Sequence, residues 1–478
     1  MSDPFPRRIY LLDPRQLSPE TIAVTFAKTS RSPASFGEIA AELSDEKSAQ
    51  FNEKWVVGYG HASVAEHAVL HVAIENVSRL AVETIESNRL ASYTEKSSRY
   101  QKWDQRAFFT PPELEGNPLR TEYQNICEAL FTLYLGCQPQ LQAQLAREFP
   151  QQLDESDSAF DRRLNSAALD VARYLLPAAA LANVGMTINA RALEHAISKM
   201  LSSALEEVRQ IGDSTKDTAC ASIPTLIKYA DPSDYLAFTA YLMRDEASSS
   251  HEKRKPPTDW LTLVNYNSLG VEKILASVLY RQGDVDYENC FQKVSALPPD
   301  QKRTLLESIT GSLGSHDALP REFEHTSYTF DVVMDQGAYY EIKRHRMMTQ
   351  SPQELGANLG YAIPRIFKDS GLLDRYQQLM DAAATTCARL AAWNPAVAAY
   401  IVPNGFNRRV LISMNVREAY QFIKLRTAPN AHFAVRRVAY RMAEEIQKAH
   451  PLIIACFQTG KSETSQMIEQ LYFTQAQT

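Results

Sequence analysis

At 478 residues the chain is longer than one simple core organises, so length alone favours two or more domains. Apolar residues make up 45% and charged residues 22%, and the net charge of −6 argues against a generally basic binder of nucleic-acid polymers. No apolar run approaches the roughly 20 residues of a membrane helix, the N-terminus lacks an apolar signal core, and six scattered cysteines without a CxxC pair point to reduced thiols in the cytoplasm.

In chain order, Glu66-His67 opens an extended segment over Ala68–Ile74, and a short helical stretch is expected over Val77–Arg89. Glu95, Ser97, Arg99 and Tyr100 follow in what reads as an extended segment. Alternation puts Glu95, Ser97 and Arg99 on one face. An acceptor, a hydroxyl and a guanidinium there suit a polar ring with an attached phosphate, or equally an exposed polar strand face. The polar stretch 150–163 reads as a loop before a helix. Leu175-Leu176-Pro177 then precedes Asn189-Ala190-Arg191, which opens a helical run. Residues 246–259, polar and closed by Pro256-Pro257, read as a linker.

Beyond the linker the same parts return in order. Glu324-His325 precedes a strand-like Tyr328–Met334, a helical stretch covers Gly337–Arg346, and an irregular segment holds Thr349–Tyr361. Ile401-Val402-Pro403 then leads to Asn415-Val416-Arg417, after which Ala419, Phe422, Ile423, Val435, Val438 and Met442 fall at helical spacing. The domains expected are therefore 1–245 and 260–478, joined by 246–259. Glu66 to Arg89 spans 23 positions and Glu324 to Arg346 spans 22, a slip assigned to a loop.

Arg344-His345-Arg346 is the sharpest local feature. On a helix, neighbours lie about 100° apart, so three cationic side chains in succession would reach different groups or one large anionic ligand. A solvated basic turn is the plain alternative. The apolar run before it and Met347-Met348 after it set the triplet near a core.

Gly60-His61, Ser63, Glu66-His67, Val77-Ser78-Arg79 and Ser92-x-x-Glu95-x-Ser97-x-Arg99-Tyr100 resemble the flavin-dependent thymidylate synthases, whose signature is RHR, a serine, Asn-Glu, a serine and Arg-Tyr. The first half has Ser87-Asn88-Arg89 in place of RHR. The second keeps Arg344-His345-Arg346 but has Pro352, Glu354 and Gly356 in place of Glu, Ser and Arg. The later motif looks like Asn415-Val416-Arg417-Glu418, Leu425-Arg426, Ala431-His432 and Arg436. Arg173, with Asp170 before it, matches a family arginine whose place in the second half holds Ala399. The losses are complementary: Glu95, Ser97, Arg99 and Arg173 survive only in the first half, Arg344 and Arg426 only in the second.

The resemblance implies an α+β, helix-rich chain of two tandem copies, each with a small antiparallel sheet. It implies one composite site that methylates dUMP to dTMP, with methylenetetrahydrofolate giving the carbon, FAD the hydride and NADPH the reducing power. By the same resemblance Arg99 and Arg173 bind the dUMP phosphate together with Glu95 and Ser97. Arg426 and Arg344 act on the substrate beside Glu341, which stands where the family has glutamine. FAD falls to His61, Ser63, Glu66, Arg344, His345, Arg346, Asn415, Arg417 and Gln421. A homodimer would mimic the family's homotetramer. A nucleotide- or flavin-binding paralogue without turnover, or the same chemistry on another pyrimidine nucleotide, are the alternatives, the latter suggested by the extra charge of Glu341.

Overall fold

The computed structural model describes residues 8–249, 259–457 and 463–476. The first copy of the repeat runs β1 (Val69–Ser78), α1 (Arg79–Glu86), β2 (Ala91–Glu95), α2 (Leu119–Gly136), α3 (Asp157–Ala172), β3 (Leu181–Asn189), α4 (Ala190–Leu201) and α5 (Glu206–Cys220). The second runs β4 (Leu261–Tyr266), β5 (Ser327–Asp335), α6 (Gln336–Ile342), β6 (Thr349–Pro352), β7 (Ile363–Pro364), α7 (Leu373–Trp393), β8 (Asn407–Asn415), α8 (Val416–Arg426), α9 (Phe433–Ala449) and β9 (Phe473–Gln475). Among the described residues no helix is long and apolar enough to cross a membrane.

The repeat is visible in strand order and register. One sheet runs β1-β3-β2; the other runs β4-β5-β8-β6, with a separate β7-β9 ladder. Val69 opposes Asn189 as Ser327 opposes Asn415, and Ser92 opposes Thr187 as Thr349 opposes Ser413. The caps repeat too. Asn189 and Asn415 end a central strand and accept from the backbone N–H of Ala192 and Glu418, which is why each Asn-x-Arg opens a helix. Ser78 and Asp335 do the same for α1 and α6.

The one-position slip between copies is not in a loop. β1 shifts register between Ile74 and Val77, with Asn76 at φ 57°, whereas β5 pairs with β8 without a break. The extra residue of the first copy is a β-bulge, and asparagine tolerates its left-handed backbone.

Three other expectations are corrected. Residues 157–163 are helical, because Ser156 caps α3. Residues 246–249 of the expected linker belong to the helix Asp234–Ser249, and 250–258 lie outside the described residues. The extended reading of Glu95 through Tyr100 fails after Glu95: Val184 is the last partner of β2, and the backbone N–H of Gln101 then donates to Ser97 O at 2.9 Å, turning the chain.

Contacts divide the chain into two units, which cut across the repeat. The first comprises the described parts of Met1–Lys96, Pro111–Glu115 and Leu181–Lys253. Its core gathers Val82, Ile85, Met186, Ile188, Leu193, Ile197 and Met200. The second comprises those of Ser97–Thr110, Gly116–Ala180 and Arg254–Thr478, so it takes α2 and α3 from the first copy. Its core includes Phe330, Val332, Val410, Ile412, Phe422, Ile423, Val438 and Met442.

The reason for that partition lies at the two apolar-proline steps, which pair within the second unit. Ala178 N donates to Val402 O and Asn404 N to Leu176 O, both at 2.9 Å; Ala179 N donates to Tyr400 O at 2.7 Å and Gly405 N to Tyr174 O at 3.0 Å. Each bond is matched by one between the corresponding residues with the copies exchanged, the signature of an isologous two-fold contact.

Candidate functional site

Glu341, in the last turn of α6, gathers the charged residues of the second unit. Its Oε1 accepts from Arg173 Nη1 at 3.4 Å and its Oε2 from Arg426 Nη1 at 3.2 Å, while its main-chain oxygen accepts from Arg426 Nη2 at 2.9 Å. Burial acts to raise the pKa of this carboxyl. Arg173, Arg344, Arg426 and Arg99 outweigh burial and hold it down at about 2. Glu341 is therefore ionised.

Arg173 sits where α3 tightens into a single 3-10 turn, and only 1% of its side chain is exposed. Nη2 donates to Gly337 O at 2.8 Å, and Asn404 Nδ2 donates to Arg173 O at 2.9 Å. Its Nε finds no acceptor among the described residues. A buried guanidinium with a donor unspent suits an anionic ligand.

Arg99, in the turn after Ser97, is clamped bidentately by Asp170 at 2.9 and 3.0 Å and also donates to Asn430 O at 3.2 Å. Asp170 is raised by burial despite Arg99 and Arg173. His432 accepts from Ala434 N at Nδ1 (3.1 Å), which leaves Nε2–H to donate to Asp170 O, also at 3.1 Å. Burial, followed by Arg173 and Arg99, depresses His432 well below the usual imidazole range, so it is neutral.

Arg344, His345 and Arg346 do not stand on a helix. α6 ends at Ile342, His345 N donates to Ile342 O at 2.9 Å, and Gln350 Nε2 donates to Ile342 O and His345 O at 3.2 and 3.1 Å. This turn separates the three side chains: Arg344 reaches solvent, Arg346 is half-buried and His345 is buried. His345 Nδ1 lies 3.1 Å from Glu418 Oε1, its Nε2 accepts from Arg426 Nε at 3.0 Å, and its ring meets Phe422 edge-on at 5.0 Å.

The other expected residues are distributed as follows. Glu95 belongs to the first unit, buried against Arg79 at 3.2 Å, so it shares no strand face with Ser97 and Arg99. Ser97 Oγ accepts from Arg99 N at 3.3 Å. His61 and Ser63 line a cavity of about 350 Å³ in the first unit with Phe26, Trp55 and His67, and Glu66 pairs with Arg191 at 2.5 Å. Asn415 is spent on its helix cap. Arg417 donates to Leu319 O at 2.7 Å and Glu324 at 3.0 Å, repeating the Glu66–Arg191 pair, and Gln421 is exposed. Glu418, Asp170 and His432 stand in the matched motifs, but the sequence assigns them no place at the site. The signal for Glu418 was available: Glu418, Phe422 and Arg426 recur every four residues and share one helix face.

The family model described as thymidylate synthase complementing protein matches the chain twice, over 14–225 and 262–452. A UPF0159 protein of Chlamydia muridarum is 30% identical over 426 residues, 86% of this chain and 80% of that protein. A UPF0159 protein of Thermoplasma acidophilum is 28% identical over 86% of this chain and 88% of its own length. A flavin-dependent thymidylate synthase of Clostridium tetani is 29% identical over 217 residues, 45% of this chain and 84% of that enzyme. The solved flavin-dependent thymidylate synthase of Helicobacter pylori, complexed with FAD and dUMP, aligns over 42% of this chain and 100% of its own at 17% identity, with a TM-score of 0.30. By a family match that covers most of its length in two tandem segments, the chain belongs to the thymidylate synthase complementing protein family.

Proposed function

We propose that the chain is an FAD-dependent thymidylate synthase. It would methylate dUMP to dTMP with methylenetetrahydrofolate and NADPH, using the arginine cluster around Glu341. The observation that carries this reading is the cluster itself. Arg99 and Arg173 from the first copy and Arg344 and Arg426 from the second all act on one carboxylate. Four guanidiniums against Asp170 and Glu341 leave a net charge of about +2, which suits a phosphate monoester near −2.

Arg173 offers its unspent Nε to the phosphate, and Arg99, kept in place by Asp170, would turn its remaining N–H groups to it. Arg426, fixed at three nitrogens, would polarise a uracil carbonyl, where charge builds as the ring is attacked. The donor set near His345 also fits an anionic dinucleotide: Arg344 and Gln421 are exposed and Arg346 half-buried, as diphosphate contacts require. When bound and reduced, FAD supplies the hydride. His61, Ser63 and Glu66 are proposed as further flavin contacts on the strength of their motif, and Arg417, tied to Glu324, would orient rather than bind. The active form would be a cytoplasmic homodimer.

Glu341 is tied to Arg173 and Arg426, so it balances charge rather than reading a base edge, which favours dUMP over another pyrimidine nucleotide. The test is direct. Purified protein supplied with FAD, dUMP, methylenetetrahydrofolate and NADPH should bind flavin, visible in its absorption spectrum, and should form dTMP. Flavin binding without dTMP would point to a paralogue that binds without turnover.

A further inference from the structure

Glu418 and Arg426 lie eight positions apart on α8, about 12 Å along the axis, too far to touch. One imidazole bridges them. Arg426 has no lone pair to offer, so its Nε–H must donate to His345 Nε2, and that nitrogen carries no proton. The ring proton is then on Nδ1, where Glu418 Oε1 accepts it at 3.1 Å. Phe422, between the two on the same face, meets the ring edge-on and fixes its plane. Glu418 is itself anchored, since its backbone N–H donates to the Asn415 cap.

We propose that Glu418 is a positioning residue that sets the plane of the Arg426 guanidinium through the tautomer of His345. With Nδ1–H held by the carboxylate, Nε2 always presents a lone pair to Arg426 Nε. This leaves Nη1 and Nη2 aimed at Glu341 and the ligand. Without Glu418 the ring can carry its proton on Nε2, which would set two donors against each other and turn Arg426 away. The inference rests on the proposed dUMP site for its binding consequence, but not for the tautomer.

Two measurements test it. In the free protein labelled with 15N-histidine, the His345 signals should be those of a protonated Nδ1 and a bare Nε2. Glu418→Ala should scramble them, while Glu418→Gln, whose amide oxygen still accepts, should keep them. A proton on Nε2 in the wild-type protein overturns the proposal, whether or not dUMP binds. In dUMP titrations, Glu418→Ala should weaken binding about tenfold, the scale of one charge-assisted hydrogen bond. Glu418→Gln should restore it, and Glu418→Ala should add nothing in an Arg426→Ala background. Additive losses would show that Glu418 acts elsewhere. If the wild type binds no dUMP, the functional reading fails and the imidazole spectrum alone decides the relay.

Discussion

Arg173 and Glu341 meet at 3.4 Å across 168 positions of sequence, one from each copy of the repeat, and both are buried. A buried guanidinium that loses its carboxylate becomes an uncompensated charge. Glu341→Gln keeps the shape and one of the two side-chain acceptors but removes that charge. It should cost about 3 kcal/mol of stability, the lower end for breaking a buried pair. Removing an internal anion should also tighten dUMP binding. Denaturant unfolding and dUMP titration of the variant measure both, and an unchanged unfolding midpoint would mean that Arg173 needs no counter-charge.

Arg426 and Arg99 differ in how they are held, so their loss should read out differently. Arg426 is fastened by His345 and Glu341 at the expected uracil side, and Arg426→Ala should lower dTMP formation at least tenfold, about 1.4 kcal/mol of transition-state stabilisation. Arg99 is clamped by Asp170 beside the expected phosphate, and Arg99→Ala should act mainly on KM for dUMP. Equal kcat and KM in Arg426→Ala and wild type would remove Arg426 from the site.

Much of this arrangement is legible in the sequence, and the illegible parts share a cause. The strands, the two asparagine caps and the complementary arginines follow from local pattern and motif, because each depends on neighbours within a few residues. The bulge at Asn76 appears in sequence only as a miscount between copies, which a loop explains equally well. The turn holding Arg344-His345-Arg346 depends on Gln350 reaching back to two carbonyls. The end of β2 at Glu95 depends on the turn that follows, closed by the Gln101 N–H on Ser97 O. The attachment of α2 and α3 to the second unit depends on backbone pairing between Leu176 and Asn404, which no local pattern encodes.

Two buried carboxyls give stability opposite slopes with pH. Burial raises Asp335, the cap of α6, from 3.8 to about 6, so its ionisation opposes folding: the penalty is absent below pH 3.8, grows through 6 and is complete above. Glu341, lowered from 4.5 to about 2, stabilises the fold above pH 4.5, and that contribution is lost as pH falls through 2. The Asp335 contribution should therefore rise as pH falls from 7 towards 3.8, while His432, kept neutral by burial, costs stability below pH 6.5, so the difference between the wild type and Asp335→Asn isolates the aspartate. Asp335→Asn keeps an oxygen for the Ala338 N–H but cannot ionise. It should remove the rise and be more stable at pH 7 by up to about 3 kcal/mol. Parallel stability–pH curves for the two proteins would show that Asp335 is not the group responsible.

The paired apolar-proline steps impose a last constraint, and it is asymmetric. Gly405 and its counterpart Ala179 make matching bonds, yet only the first is a glycine. A Cβ on Gly405 would meet Tyr376 Oη at 2.5 Å and Met380 Cε at 2.9 Å. The tyrosine cannot easily yield, because its ring is buried and its hydroxyl donates to Ala362 O at 2.8 Å. Gly405→Ala should therefore cost about 1–3 kcal/mol, the range for overpacking a core. It should also loosen Arg173, whose neighbour Tyr174 accepts the Gly405 N–H, and so weaken dUMP binding. Ala179→Gly introduces no clash and should cost only the backbone entropy of a glycine, about 0.5–1 kcal/mol. Comparing unfolding midpoints and dUMP affinity of the two variants tests the contact, and a Gly405→Ala protein as stable as wild type would mean that the two steps are not packed as closely as their hydrogen bonds imply.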